Sequence, residues 1–420
     1  MMMFRISLLI LLQCYQLALG FTSRQAGLGI SPASRRISQP AESSRQRTSI
    51  SLSPDVKVLT VGDALFDCIA NDDARGFTVE EMVEANKWAA FPGGAPANVA
   101  TACCKLGTKA AFCGCLGQDK DGDELETLLN DIGVDTSLIQ RDDSSPTRRV
   151  MVTRSMEGDR EFGGFYEGRN ADGFADCNLD LPQDDDDDAP LFANLEWIVS
   201  STLSLAFPQS GPAVCEIVRN ALEQGAKLYV DVNWRSVFWP DTPQGVARSE
   251  IWEFCQPATI VKMTDEEAEW LLPGITPEQA LQDPKKIHQL FFPNAIAVLV
   301  TAGEKGAAYS LFLEDGTCSG KIEPFSVPVV ETTGAGDAFT AGFLHALSKA
   351  MEDDPGFLYS CDAQKKEAVH EIVKFAAAVG ALTCTNEGAI AAQPTYEEVQ
   401  AFLNTATTEF DMEIAEEVEN

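Results

Sequence analysis

The sequence predicts an α/β fold in which a mostly parallel, Rossmann-like sheet is covered by helices on both faces and carries a small β-strand lid. Three observations predict it. Short, almost wholly apolar runs recur along the chain, a helical pattern separates most of them, and residues 148–166 read as strands with no helix between them. Strands that are apolar at nearly every position have no wet face, so helices must cover both sides, and parallel neighbours need a crossover of helical length.

The elements follow in order. Strand candidates are residues 57–61, 110–116, 195–200, 227–232, 259–263 and 295–301, each short and rich in β-branched or apolar side chains. Helical spacing predicts helices over 97–106, 123–131, 211–223, 264–271 and 279–290, and then over 335–350, 365–384 and 395–403. The run from Asp119 to Asp123 has the look of a calcium loop. Glu124 and Asn130 stand where such a loop needs Gly and Glu, so it reads as a helix-initiating turn. In open sheets of this kind ligands bind beyond the carboxyl ends of the strands.

Composition bounds the rest. The 420 residues are 45% hydrophobic and 23% charged, a length that allows two or three domains or one large α/β domain with additions, and the net charge is −33. Such a surface repels phosphate backbones and anionic lipid heads, which argues against nucleic acid and membrane as partners of the mature form. An anionic ligand has to be held by local amides, helix N-termini and bound cations. Arg5 precedes the apolar run 6–12, and residues 21–50 carry seven Ser, five Arg and the single acid Glu42. Residues 1–50 therefore read as a signal plus transit-like targeting presequence, similar to the two-part plastid presequences of algae with complex plastids; the alternative is simple secretion with a pro-segment. The folded domain is expected over 51–405, with its lid drawn from about 91–100 and 148–168. Residues 184–188, all Asp, read as a solvated surface insertion, and 406–420 as a disordered acidic tail. The cysteines are scattered without a C-x-x-C pair, which fits buried apolar roles for Cys103, Cys104, Cys113 and Cys115.

Several chemistries are excluded by their missing motifs. There is no G-x-x-x-x-G-K-[ST] loop, no G-x-G-x-x-G after the first strand, no G-x-S-x-G elbow, and the three His lack metal-ligand spacing. What remains is the segment from Glu331 to Phe339, which opens a helix. Gly334, Ala335 and Gly336 let backbone N–H groups crowd one point, where the helix N-terminus adds positive potential. Asp337 in the first turn can accept a hydroxyl proton beside that anion hole, which describes phosphoryl transfer to an alcohol. Spacing alone leaves it equally a helix-start acid favoured by the dipole.

These residues resemble the ribokinase-like (PfkB) carbohydrate kinases, and among them the fructokinases. The resemblance runs from Val56 to Leu403 with its motifs in family order. It implies that Asp337 is the catalytic base and that Gly334, Ala335 and Gly336 form the anion hole. Gly93, Gly94 and Asn98 resemble the signature that contacts sugar hydroxyls, and Asp67 the loop acid that grips the sugar. Phe162 and Tyr166, with Gly158 and Asp159, resemble the fructokinase lid, and the run from Asp231 to Arg235 its Asp-Pro-Asn-x-Arg turn. On the nucleotide side, Thr264 and Glu267 resemble the Asn-x-x-Glu element whose Glu orders magnesium through water. Thr301, Gly303 and Gly306 resemble the loop along the ATP phosphates, and Gly388 the Gly-Ala that closes the nucleotide and monovalent-cation region.

The resemblance thus implies ATP and magnesium as cofactors, a small sugar as substrate, and potassium near Glu331 and Thr333. Glu331 stands where the family usually has Asp, which puts cation activation in question, and Ala377 replaces a common Asn near the adenine. Lys262, Lys305 and Arg235 are candidates for phosphate contact, or else for strand-end solvation. The expected activity is phosphorylation of the 6-hydroxyl of fructose in the plastid stroma. The alternatives are another acceptor such as ribose or a nucleoside, and a non-catalytic plastid scaffold with Cys103 and Cys104 as a redox handle. Exposed flap edges are also expected to pair two copies into a homodimer.

Overall fold

The computed structural model describes residues 51–156, 160–183, 190–240, 242–313, 316–359 and 363–405. Residues 1–50, read as a presequence, Gly158 and Asp159, read as part of the lid, the 184–188 run and residues 406–420 lie outside the described residues. The chain enters β1 (Val58–Val61), turns at Gly62 into β2 (Leu65–Ala70) and returns as β3 (Trp88–Gly93). After the helix Ala95–Lys105 it forms β4 (Ala110–Gly117), and after the helix Lys120–Ile132 β5 (Asp135–Asp142). Two strands follow with no helix between them, β6 (Arg149–Arg154) and β7 (Arg160–Phe165). Four strands each separated by helices come next: β8 (Trp197–Ser201), β9 (Lys227–Asp231), β10 (Ile260–Thr264) and β11 (Ala297–Thr301). A hairpin of β12 (Ala307–Leu313) and β13 (Gly316–Ile322) completes the set.

These strands make two sheets. The large one has nine strands in the order β13-β12-β11-β10-β9-β8-β1-β4-β5, and the small one four in the order β3-β2-β6-β7. In the large sheet every pair from β11 to β5 is parallel, and β12 and β13 add an antiparallel edge. Alternate residues feed two cores on opposite faces, as the period of a strand requires. Leu59, Val61, Leu228, Val230, Val261, Met263, Val298 and Val300 join one core. Val58, Tyr229, Ile260, Ala297 and Leu299 join the other.

The structure differs from the sequence reading in several places, among them β3, β5 and the helices Val79–Glu84 and Gln244–Cys255, none of which was anticipated. Residues 277–291 form two helices, Pro277–Gln282 and Pro284–Phe291, where one was expected. Pro284 has no N–H to continue the first helix and pushes Asp283 out of the helical region; the Asp283 carboxylate then accepts the Lys286 N–H at 3.0 Å and starts the second. Asp67 lies inside β2, paired with Phe91 of β3, and not in a loop. The edge hairpin of β12 and β13 carries no helix and was not anticipated. The Asp119 turn does start a helix, its carboxylate accepting the Gly122 N–H at 2.8 Å.

Candidate active site

The site is built at the carboxyl ends of the central strands, around the start of the long helix Ala335–Asp353. Gly334 precedes that helix with φ 80°, and a Cβ there would lie 2.8 Å from the Ala389 Cβ, so the position admits only glycine. The first amides of the helix have no partner within it, and the Ala335 N–H donates to the Thr332 carbonyl at 3.2 Å just outside it. Asp337 stands in this first turn, and the Asn98 side-chain amide donates to its Oδ2 at 2.8 Å. The structure thereby joins Asn98 and Asp337, 239 residues apart in sequence.

A lysine completes the anion pocket. A Cβ on Gly336 would come 3.0 Å from Lys262 Nζ, so the missing side chain leaves room for the ammonium beside the helix start. Lys262 donates to Asp231 Oδ2 at 2.6 Å, and both side chains are buried. Burial alone would lower the Lys262 ammonium, but the Asp231 carboxylate outweighs it and the net direction is up. Burial, with the Asp231 charge adding to it, pushes the Asp337 carboxyl up to about 7, while Asn98, Lys262 and Arg235 pull the other way.

Where sugar contacts were expected, β2 and β3 bring Asp67 and Gly93 together. A Cβ on Gly93 would meet Asp67 Oδ2 at 3.0 Å. Gly94, with φ 99°, has the Asp63 carbonyl where its Cβ would be, at 2.6 Å, and lets the chain swing from β3 into the helix that carries Asn98. The predicted lid residues sit further out. Phe162 on β7 is 44% exposed, its ring edge-on to Phe165 at 5.2 Å. The Tyr166 ring lies under the Arg149 guanidinium at 5.2 Å.

Where nucleotide contacts were expected, Thr264 and Thr301 are register partners at the ends of β10 and β11. Thr264 and Glu267 form a reciprocal cap: the Thr264 hydroxyl accepts the Glu267 N–H at 3.1 Å and Glu267 Oε2 accepts the Thr264 N–H at 2.9 Å. Gly303 and Gly306, with φ 50° and 85°, bound the turn after β11, and Lys305 in that turn pairs with Asp265 at 3.1 Å. Glu331 Oε2 accepts the Gly388 N–H at 3.0 Å, tying the 388–389 turn to the segment that leads into Gly334. Arg235 reaches Glu267 Oε1 at 3.5 Å.

The residues fit a nucleotide phosphate. A long helix start, three small residues and a buried ammonium converge on one point, and the donors are of the type that phosphate oxygens accept. Both Glu267 oxygens are already held by backbone N–H groups, Oε2 by Thr264 and Oε1 by Trp234 at 2.8 Å. Among the described residues no group of three or more His, Cys, Asp or Glu side chains could hold a metal ion. A magnesium ion would therefore be carried by the phosphates, with Glu267 touching it only through water.

Residues 55–396 match the pfkB family carbohydrate kinases. The chain belongs to that family. It is 36% identical over 312 residues to a probable fructokinase-3 of Arabidopsis thaliana, covering 74% of this chain and 82% of that one. A probable chloroplastic fructokinase-6 of the same plant is 33% identical over 346 residues, 82% of each chain. The fold is similar to that of a fructokinase from Xylella fastidiosa solved with bound ATP, with a TM-score of 0.68 and 27% identity over 84% of this chain and 99% of that one. The kinase is thus a sugar phosphotransferase.

Sequence reasoning missed a second charged cluster, near the start of β2 and β6. Arg148 is 1% exposed and grips Asp176 through two bonds, Nε to Oδ2 at 2.7 Å and Nη2 to Oδ1 at 2.9 Å. Asp63, 2% exposed, lies in the turn between β1 and β2. Burial and then the Asp176 charge push its carboxyl up to about 7, and Arg148 opposes them. The sequence signal for these roles is slight: Arg148 stands at the start of the strand-only stretch, and nothing beside it marks it as buried.

Proposed function

We propose that the kinase phosphorylates the 6-hydroxyl of fructose, using Asp337 as general base and the Gly334, Ala335 and Gly336 amides as anion hole. The observation that carries this reading is the Asn98–Asp337 hydrogen bond, which sets the predicted sugar-contacting amide against the predicted base at the start of the helix. Bound ATP supplies the phosphoryl group, and magnesium spreads the charge of its oxygens. Asp337 accepts the proton of the attacking hydroxyl, and its carboxyl near 7 suits a base that works at neutral pH. The helix amides and Lys262 hold the charge that develops on the transferring group. The small sheet acts as the lid that excludes water from this step, with Phe162 and Tyr166 moving toward the acceptor as it closes.

The scaffold alternative draws no support from the cysteines. Cys103 is fully buried and Cys104 half-buried, and burial pushes both thiols up. Sugar-dependent ADP formation by the purified protein, run over a panel of ketohexoses, pentoses and nucleosides, tests the reading. Activity highest on fructose supports it, activity highest on another acceptor reassigns the substrate, and none at all returns the scaffold.

Asp67 is proposed to hold sugar hydroxyls in the ground and transition states alike. Asp67→Asn should raise the sugar KM by about 10–100-fold with a smaller loss of kcat and little change in the ATP KM. An unchanged sugar KM would return Asp67 to a structural role in β2.

The Glu331 carboxylate is engaged by the Gly388 N–H, in the region where the resemblance puts a monovalent ion. We expect turnover to respond weakly to potassium and Glu331→Asp to strengthen the response. Strong activation of the unmodified enzyme by potassium over sodium would show that the longer acid leaves the ion its place.

Delivery to the plastid rests on the composition of residues 1–50 and on a relative named as chloroplastic. The mature protein is expected to begin between Phe21 and Ser53. N-terminal sequencing of protein from the native cell that finds Met1 intact would count against a removable presequence.

A further inference from the structure

The turn that leaves β9 is clamped to the helix that leaves β10 by two indoles to which no role has yet been given. The Trp234 ring stacks on the Trp270 ring, centroids 4.0 Å apart and planes 13° from parallel. Trp239, just past the short helix Ser236–Phe238 that follows the turn, leans on Trp234 at 5.8 Å, and the Arg248 guanidinium lies over Trp270 at 5.4 Å. Trp270 follows Glu267 by three residues in the helix Asp265–Leu271, one helical turn on, so ring and carboxylate engage the turn from neighbouring positions. Glu267 Oε1 accepts the Trp234 N–H at 2.8 Å while Oε2 accepts the Thr264 N–H at 2.9 Å. One carboxylate therefore spans from the nucleotide strand to the turn that carries Asp231 and Arg235.

That turn is not relaxed. Asn233, a non-glycine residue, has φ 41°, a conformation that persists only where the surroundings hold it. On its two sides the Val232 N–H donates to the Lys262 carbonyl at 2.9 Å and the Trp234 N–H to Glu267. The ends of the turn bear on the reacting centre: Asp231 fixes Lys262 at 2.6 Å, and the charges of Asp231, Lys262 and Arg235 all act on Asp337. Neither indole is among the residues that face the proposed acceptor or phosphate.

We propose that Trp234 and Trp270 are positioning residues for phosphoryl transfer, their stack acting through Glu267 and the turn from Asp231 to Arg235 to keep Lys262 and Arg235 aligned on Asp337 and the anion hole. The proposal rests on the kinase reading of the same site. Because a displacement of about 1 Å in a reacting constellation can cost on the order of 100-fold in rate, a loosened turn should show in turnover before it shows in binding.

The test is steady-state kinetics on the unmodified enzyme, Trp234→Phe, Trp234→Leu, Trp270→Leu, Glu267→Gln and the double variant Trp234→Leu/Glu267→Gln. Calorimetric titration of ATP with magnesium and circular dichroism of the indole pair accompany it. Each leucine variant is expected to lose the paired-indole dichroism and about 10–100-fold in kcat, with the sugar KM within about threefold. Trp234→Phe, which can still stack, should recover kcat to within about threefold. The double variant should lose no more than the worse of its parents, since stack and carboxylate act as one unit. Trp234→His keeps a flat ring of smaller area and decides the matter if a leucine variant does not fold. An active unmodified enzyme whose variants keep kcat within twofold, lose only sugar affinity, or lose kcat additively overturns the positioning role alone. An unmodified enzyme that forms no ADP with any sugar, yet binds ATP in the calorimeter, overturns the kinase reading and this inference with it.

Discussion

Replacing Asp337 by Asn is expected to lower kcat by about 10²–10⁴-fold while leaving the sugar KM within a few-fold. The substitution keeps the shape of the side chain, its place in the first helical turn and an oxygen that can accept the Asn98 amide, which now donates at 2.8 Å. What it removes is the ability to take a proton, and that ability matters only as the hydroxyl attacks. A loss confined to the transition state lowers kcat and kcat/KM together. The pH profile gives a second readout with a definite sign. Burial and the Asp231 charge push the Asp337 carboxyl up to about 7, so below that pH the base carries its proton and is idle. In the unmodified enzyme kcat should therefore rise with pH up to about 7 and level off above it, and in Asp337→Asn that limb should vanish. Near-normal kcat in the variant would remove Asp337 as the base. A rise in sugar KM with kcat intact would make it a binding residue instead.

Much of this site was legible because its residues sit where periodicity changes. Gly334, Gly336 and Asp337 mark one helix start, and Gly93 and Gly94 lie just before another; a helix start is a local event that a sequence displays. Lys262 was visible as one charge in the apolar run of β10, but its partner Asp231 is 31 residues away, and only the parallel pairing of β9 with β10 sets them 2.6 Å apart. The helix over 279–290 failed locally, at Asp283-Pro284, where a Pro rule outweighed the apolar spacing. The helix Gln244–Cys255 was missed, although Ala247, Ile251 and Phe254, which it buries, stand at helical spacing. Arg148 and Arg149 show the deeper limit. Neighbours at a strand start face opposite sides, so one guanidinium goes inward to Asp176 and the next outward to Asp121 of the helix Lys120–Ile132, with Nε to Oδ2 at 2.5 Å. Nothing in the dipeptide says which of the two is buried.

That inward arginine carries the largest stability effect expected of a single change. The Arg148 guanidinium is enclosed by the rings of Phe165, Phe174, Phe207 and Phe238 at 4.6–5.3 Å, donates to the Ala171 carbonyl at 2.9 Å, and has Asp176 as its bidentate partner. Asp176→Asn would leave a full positive charge in that aromatic box, and removing one partner of a buried pair costs about 3–5 kcal/mol. The double change Arg148→Met/Asp176→Leu removes both charges and fills similar volume, so it should recover most of the loss. Urea unfolding followed by circular dichroism compares the three proteins. A cost below about 1 kcal/mol for Asp176→Asn would mean that Asp63 or water takes over the guanidinium. Function should follow stability in this case, because the pair braces the base of the small sheet. Arg148 immediately precedes β6, and its carbonyl accepts the Phe66 N–H at 3.0 Å, next to Asp67. A sheet loosened at that point moves Asp67 before it moves Asp337, so the sugar KM of Asp176→Asn should rise while its kcat, measured at saturating sugar, falls less. In the double variant, where β6 is again held by packing, the sugar KM should return toward that of the unmodified enzyme. A sugar KM that stays high in a stable double variant would instead make the Arg148 charge itself part of acceptor binding.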